Sequence, residues 1–313
     1  MVRKTKHTFF ETYEITAKPA GAHVLITGGV HGDEFEPMLA CMNLIRKLPR
    51  ILQEGKVTVL PVVNTSAFTL GQRCADDGKD LARTFPGKAA GSFTQRLAYS
   101  LNQLIKTADY LIDLHTGGSL FTILPLCGYM LHPNKEVLAK QQQMARAFGM
   151  PIIWGTDAQA QGRTLSAARD FNIPAIYAEC RGGLAITNTT ISQYEKGCLN
   201  VLTHLGLTKS GRRPKNKPIW IEDYTPGEGH LQSKMPSPAD GIFMPVVSIG
   251  QRVRKGSLIG YTIDPAHYTN KEIKAQQSGI VFMLRISAKV TVGDSLGGIL
   301  PVSRKGKKII YAR

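Results

Sequence analysis

Cysteine, tryptophan and long apolar stretches are scarce in this chain. Its five cysteines (Cys41, Cys74, Cys127, Cys180, Cys198) are irregularly spread over 313 residues. An odd, irregular set argues against a disulfide framework, and without a Cys-x-x-Cys pair a thiolate zinc site has no obvious ligands. Free thiols in a reducing cytosol are the expectation. No apolar run reaches the roughly 18 residues of a membrane-crossing helix, and the longest, such as 57–63, are strand-sized. The opening stretch MVRKTKHTFFETYE has basic residues with no apolar segment or small-residue cleavage site behind them. It therefore reads as lacking a signal peptide, and a cytoplasmic protein without a membrane partner is expected.

Aromatic residues are also sparse, at 7%, and none interleave with the basic clusters. This matters because the net charge is +16. Such an excess suits nucleic acid, an anionic surface or an acidic small substrate. The basic clusters GRRPKNK and RKGKK read as a solvated linker and tail, so no nucleic-acid partner is expected. Hydrophobic residues at 42% and charged residues at 20% are ordinary for a soluble globular chain, long enough for a large core and a second domain.

Apolar runs over 23–29, 57–64, 109–117, 150–156 and 173–180 read as buried strands. Helical patterns lie between or after them over 35–48, 92–108, 135–148 and 189–205. This alternation predicts an α/β layer fold. Segment 65–91 has no clear period, and an irregular stretch of that length inside a compact domain is usually functional. The polar, basic stretch 209–218 reads as a linker, which divides the chain into 1–212, an α/β catalytic domain, and 213–313, a small all-β domain. The second part contains a repeat. DGIF at 240–243 precedes VRKGSLIG at 253–260, and SGIV at 278–281 precedes VTVGDSLG at 290–297. Two related β units predict a quasi-twofold sandwich resembling the barrel-sandwich fold of lipoyl and biotinyl carriers. No lysine stands in a carrier-like turn between the halves, so a structural or site-covering role is expected.

Three predicted strands end in polar residues of one chemical kind. His31-Gly32-Asp33-Glu34 follows the first, His115-Thr116-Gly117 ends the third, and Glu179-Cys180-Arg181-Gly182-Gly183 ends the last. Ligands of open α/β sheets bind outside the carboxyl ends of the strands. His31 and Glu34, three residues apart on a strand-to-helix turn, can point at one ion. With His115 they form an open two-His, one-carboxylate set suited to a catalytic zinc, one per chain. Glu179 is then the candidate general base, and Asp113, two residues before His115, the candidate to orient its imidazole. Each residue alone has an ordinary structural explanation, as a turn, a helix start or a core histidine. Their joint arrival at strand ends favours chemistry.

GGVHGDEFEP, RCADDGKDLARTFPG, DLHTG and IPAIYAECRGG resemble the succinylglutamate desuccinylase and aspartoacylase family, within the zinc carboxypeptidase-like metallohydrolases. The resemblance spans about 23–205, and the β region after 220 also looks like that family's second domain. It implies a mixed sheet flanked by helices, with a C-terminal β domain covering the site. It implies zinc on His31, Glu34 and His115, with Glu179 as base and then proton donor. It further implies that Arg73 polarises the scissile carbonyl and Arg83 pairs with a substrate carboxylate. The sequence departs from the family at Ala82, where an asparagine is usual, and at Arg181, where a small residue is usual. Arg181 and Arg163 are therefore candidates to assist Arg83. The resulting expectation is a deacylase of a small N-acylated amino acid or amine. A zinc carboxypeptidase for a short peptide or cell-wall fragment is the rival enzyme, and a non-catalytic basic binding protein the rival of another class. Homo-oligomerisation is left open.

Overall fold

The computed structural model describes residues 2–212, 214, 217–224, 234–301 and 309–311. Its main sheet begins with an antiparallel hairpin, β1 (Val2–Lys6) and β2 (Glu11–Thr16). Inside that edge lie β4 (Glu54–Leu60), β3 (Lys18–Thr27), β5 (Tyr110–His115) and β8 (Ala175–Arg181), mutually parallel and adjacent in that order. Strand β6 (Phe121–Met130) runs antiparallel to β8 and parallel to β7 (Ile152–Thr156), which is followed by β9 (Ile219–Asp223) and β17 (Ile309–Tyr311). The sheet is thus mixed, and the carboxyl ends of β3, β5 and β8 share one edge.

Strand alternation sends side chains into two separate layers. On one face Ile26, Ile112 and Ile176 pack with Leu44 and Leu48 of α1 (Phe35–Ile51), Met144 and Phe148 of α4 (Lys135–Phe148), and Leu202 of α6 (Asn188–His204). On the other, Leu25, Leu111 and Ala175 meet Leu97, Leu101 and Ile105 of α3 (Phe93–Ile105) and Ala168 of α5 (Thr164–Asp170). The helices start where the chain supplies caps. Gln95 Oε1 accepts from the Ser92 amide at 3.0 Å at the start of α3, Asn134 accepts from the Glu136 and Val137 amides, and Thr187 accepts from the Thr190 amide. The period-free segment 65–91 holds a short helix, α2 (Thr65–Leu70), and a 3₁₀ turn at Leu81–Arg83.

Past the basic stretch, β9 returns to the main sheet beside β7. The two repeat units then fold alike. The first is β10 (Gly241–Pro245), β11 (Arg252–Val253) and β12 (Leu258–Asp264), and the second is β14 (Gly279–Arg285), β15 (Lys289–Val290) and β16 (Gly297–Leu300). Within each unit the first strand pairs with the last. The short middle strand crosses over, β11 to β14 and β15 to β10. Strand β13 (Thr269–Lys274) edges the first unit. Phe243, Ile259, Val281, Val290 and Leu296 share the core between the halves. The second unit is also joined to the catalytic layer, because β14 pairs antiparallel with the start of β6.

Candidate active site

The turn after β3 carries His31 to Glu34. It can approach α2 closely because residue 32 is glycine: a Cβ there would fall 2.0 Å from the Ala67 carbonyl carbon. His115 ends β5 and lies opposite Glu179 in the parallel register with β8. Both residues belong to the face covered by α3 and α5, as does Asp113. The expected triplet of His31, Glu34 and His115 is assembled, its ligand atoms all within 4.8 Å of one another and all three residues buried.

The hydrogen bonds around the triplet have a common pattern. Glu34 Oε1 lies 2.7 Å from His31 Nδ1, and Glu34 Oε2 lies 3.0 Å from His115 Nδ1. Each imidazole turns its other nitrogen to a further carboxylate: His31 Nε2 to Asp80 at 3.2 Å, and His115 Nε2 to Asp113 at 2.9 Å. Asp113 is fixed in turn by the Thr27 hydroxyl at 2.6 Å and by the Thr164 hydroxyl. Tyr194 donates its hydroxyl to the His115 carbonyl. Carboxylate–imidazole pairs facing a common centre are the usual outer support of a metal site. The donor set therefore fits a divalent ion: two Nδ1 atoms and a carboxylate converge, and the opposite ring nitrogens are anchored. Burial opposes ionisation of Glu34, but the two imidazoles outweigh it and hold its carboxyl well below the ordinary range. For His115, burial is overcome by Asp113 and Glu34, which raise the imidazole well above its usual value.

Glu179 is 9% exposed, and its Oε2 is buried with no hydrogen-bond partner among the described residues. Burial pushes its carboxyl up to about 8, and the nearby Glu34 charge adds to the rise. A cation held by the triplet would draw it back down. Such a carboxyl is poised to take up and release a proton near neutral pH.

Three guanidinium groups line the same cavity, which measures about 720 Å³ with its open mouth included. Arg73 is clamped by Asp80, whose Oδ2 accepts from Nε at 3.1 Å and from Nη2 at 3.0 Å. Its Nη1 lies 3.8 Å from Glu34, so its cationic edge points at the triplet. Arg83 follows the 3₁₀ turn capped by Asp80 and donates to the Ala82 carbonyl at 2.6 Å. Burial, together with Arg163 and Arg73, pushes the Arg83 guanidinium down to about 10, against the pull of Asp80. Arg163 stands at the start of α5, with Nε and Nη2 buried and without hydrogen-bond partners among the described residues. Ala82 lines the cavity as well. Arg181 does not. It is a candidate because it stands where the resembling family usually has a small residue, but its φ is +54°, which breaks the alternation of the strand. Its side chain is exposed and outside the cavity wall.

Asp80 is the residue of the site that sequence reasoning missed. It touches both His31 and Arg73, and its signal was its place in the loop Asp80-Leu81-Ala82-Arg83. The remaining wall includes Phe121, Ile123, Leu165 and Tyr177. Among the described residues, all lining side chains come from the α/β unit. Strand β14 reaches the site indirectly by pairing with β6 at Phe121 and Ile123.

A buried carboxylate beside a ligand triplet, with the Arg73 guanidinium turned toward Glu34, suits an amidohydrolase acting on linear amides, and the relatives bear this class out. Residues 20–205 match the model of the succinylglutamate desuccinylase/aspartoacylase catalytic domain. The chain belongs to the succinylglutamate desuccinylase/aspartoacylase family. It is 30% identical over 295 residues to the N-alpha-acetyl-L-2,4-diaminobutyric acid deacetylase of Halomonas elongata, covering 92% of this chain and 84% of that one. It superposes on the succinylglutamate desuccinylase/aspartoacylase of Rhodobacter sphaeroides with a TM-score of 0.84 at 27% identity, covering 93% and 88% of the two chains. The product-bound ectoine utilization protein EutE (DoeB) of Ruegeria pomeroyi superposes with a TM-score of 0.82 at 22% identity, covering 95% and 92%, a likeness of fold.

Proposed function

We propose that the protein is a zinc-dependent deacylase that hydrolyses the amide of a small N-acylated amino acid or amine. The observation that carries this is the cavity itself. His31, Glu34 and His115 converge there, Glu179 offers a buried oxygen without a partner, and Arg73, Arg83 and Arg163 supply positive charge. A single zinc ion on the three ligands would supply Lewis acidity at the carbonyl and ease deprotonation of water. Glu179 takes a proton from the attacking water as oxygen adds to the acyl carbon. As the C–N bond breaks, Glu179 returns that proton to the departing nitrogen, giving a carboxylate and a free amine. Arg73, held rigid by Asp80, faces the carbonyl oxygen and opposes the negative charge developing on it. Arg83 and Arg163 take the substrate carboxylate, for which two guanidinium groups compensate the missing amide at Ala82.

The deacetylase activity of the Halomonas elongata relative supports a short N-acetylated amino acid as the first candidate. We further propose that the C-terminal β region governs access to the site through β6, restricting it to small molecules, and that the enzyme works in the cytoplasm on its free thiols' evidence. The test is a screen of N-acetyl, N-succinyl and N-formyl amino acids, beside dipeptides, against zinc-loaded protein. Turnover of acylated amino acids with dipeptides inert is expected. Preferred cleavage of dipeptides would establish the carboxypeptidase alternative. No turnover with binding that falls steeply with salt would establish the basic binding protein.

A further inference from the structure

Tyr177 stands two residues before Glu179 on β8 and faces the same cavity. Its neighbours on the strand are buried, and it keeps some exposure. In register it lies between Asp113 of β5 and Gly128 of β6, one row below the row of His115 and Glu179. The far end of its ring rests on Gly128. A Cβ at residue 128 would fall 2.1 Å from Tyr177 Cε1, 2.2 Å from Cζ and 2.5 Å from the hydroxyl oxygen. Gly128 does not have a positive φ, so its backbone conformation suits any residue. The close approach of the tyrosine ring is what requires glycine there. The Arg163 side chain lines the same cavity.

We propose that Tyr177, laid flat over Gly128, is the floor of the substrate cavity and sets how long the carboxylate-bearing arm of the substrate can be. The inference rests on the deacylase reading. The ring stops the space beneath the metal-ligand row, so the arm must place its carboxylate at Arg83 and Arg163 within a fixed reach from the scissile nitrogen. Tyr177 is a specificity-determining residue here, with no part in proton transfer.

The test compares kcat/KM for N-acetylglycine, N-acetyl-β-alanine and N-acetyl-4-aminobutyrate, in which the carboxylate moves one methylene further from the amide each time. Tyr177→Val should raise the long-to-short ratio by about tenfold or more, the usual discrimination for a methylene in a pocket. Gly128→Ala should lower it, because the phenol must lift into the cavity. In the Tyr177→Val background, Gly128→Ala should have no further effect on the ratio, since the ring it displaces is gone. Equal changes on all three substrates, or an undiminished Gly128→Ala effect in that background, would overturn the proposal. If the wild-type protein cleaves none of them, the deacylase reading fails separately. The same ratios are then read from thermal stabilisation by glycine, β-alanine and 4-aminobutyrate, with the same outcomes deciding.

Discussion

Replacing Asp113 by asparagine perturbs the ligand triplet from outside without touching a ligand. Asp113 is fully buried and accepts from His115 Nε2 at 2.9 Å, from Thr27 Oγ1 at 2.6 Å and from Thr164 Oγ1. An asparagine of the same shape offers one acceptor oxygen and one NH₂ group. It can satisfy His115 or the threonines, and at least one buried donor then loses its partner. That loss costs about 1–3 kcal/mol of stability. The charge behind the imidazole is lost too, which lowers its basicity as a ligand. Outer partners of this kind typically contribute 10- to 100-fold to metal affinity, or about 1.4–2.7 kcal/mol. Competition with a chelator of known affinity measures the zinc affinity, and thermal unfolding of the metal-stripped protein measures the packing cost separately. Asp113→Asn should weaken zinc binding at least tenfold beyond the stability change of the stripped protein. Zinc affinity within about twofold of wild type, with the stripped protein destabilised, would refute the reasoning and leave Asp113 a packing residue.

Other outcomes follow from the same geometry. His31→Ala and His115→Ala should each remove bound zinc and activity together, as metal analysis beside a deacylation assay would reveal; retained metal in both would dismiss the site. Glu179→Gln should keep the metal and lower turnover by a factor on the order of 10² or more, and an active variant would move the base elsewhere. Arg83→Ala should lower kcat/KM about ten- to a hundredfold on a carboxylate substrate and much less on its amide analogue; equal losses would show that Arg83 does not read the carboxylate. His23 gives a pH dependence remote from the chemistry. Burial holds its imidazole below the ordinary 6.5, between the Thr107 carbonyl and the Thr58 hydroxyl, each at 2.8 Å. The unfolded chain therefore protonates first as pH falls. The stability from neutral His23 is present at pH 7 and is lost as pH drops through about 6.5 and below. The Tm of His23→Gln should fall less between pH 7 and pH 5 than that of the wild type, and parallel slopes would contradict this.

The central layer was legible because its strands are buried on both faces and read as nearly continuous apolar runs. The C-terminal repeat was legible as paired glycine-bounded segments, but its strand exchange was not, since partners 26 to 49 residues apart leave no local trace. Strand β6 was missed for a local reason. Pro125 and Gly128 interrupt its pattern, and Pro125 falls where the register with β8 shifts between Ile123 and Leu126, a place that tolerates a residue without an amide hydrogen. The edge hairpin β1–β2 was hidden by its charge. Lys4, Lys6, Glu11 and Glu14 read as solvated polypeptide, yet such residues also protect an exposed strand edge from pairing with other chains.

In the site, a side chain could be placed from sequence where a strand end fixes it. His115, Glu179 and Asp113 are tied to strands whose alternation is set by their apolar neighbours. That rule stops holding at Arg181, the last residue of β8. Gly182 and Gly183 both have positive φ, and Arg181 itself is left-handed, so the chain is already turning there. Loop residues had no such ruler. Asp80 lies 49 positions from His31, and Arg163 lies 80 positions from Arg83. They meet because Phe85 pairs with Gly162, and Gly162 packs against the Arg83 backbone, where a Cβ would fall 2.7 Å from its carbonyl carbon. That contact sets Arg163 beside Arg83. The second cation stands near the position where the family's usual asparagine is replaced by Ala82, so under the proposed function the missing amide and the additional guanidinium form one change in how a substrate carboxylate would be held. Restoring the amide with Ala82→Asn should therefore reduce the cost of Arg163→Ala on carboxylate substrates. A double-mutant cycle in kcat/KM with no coupling between the two positions would separate them.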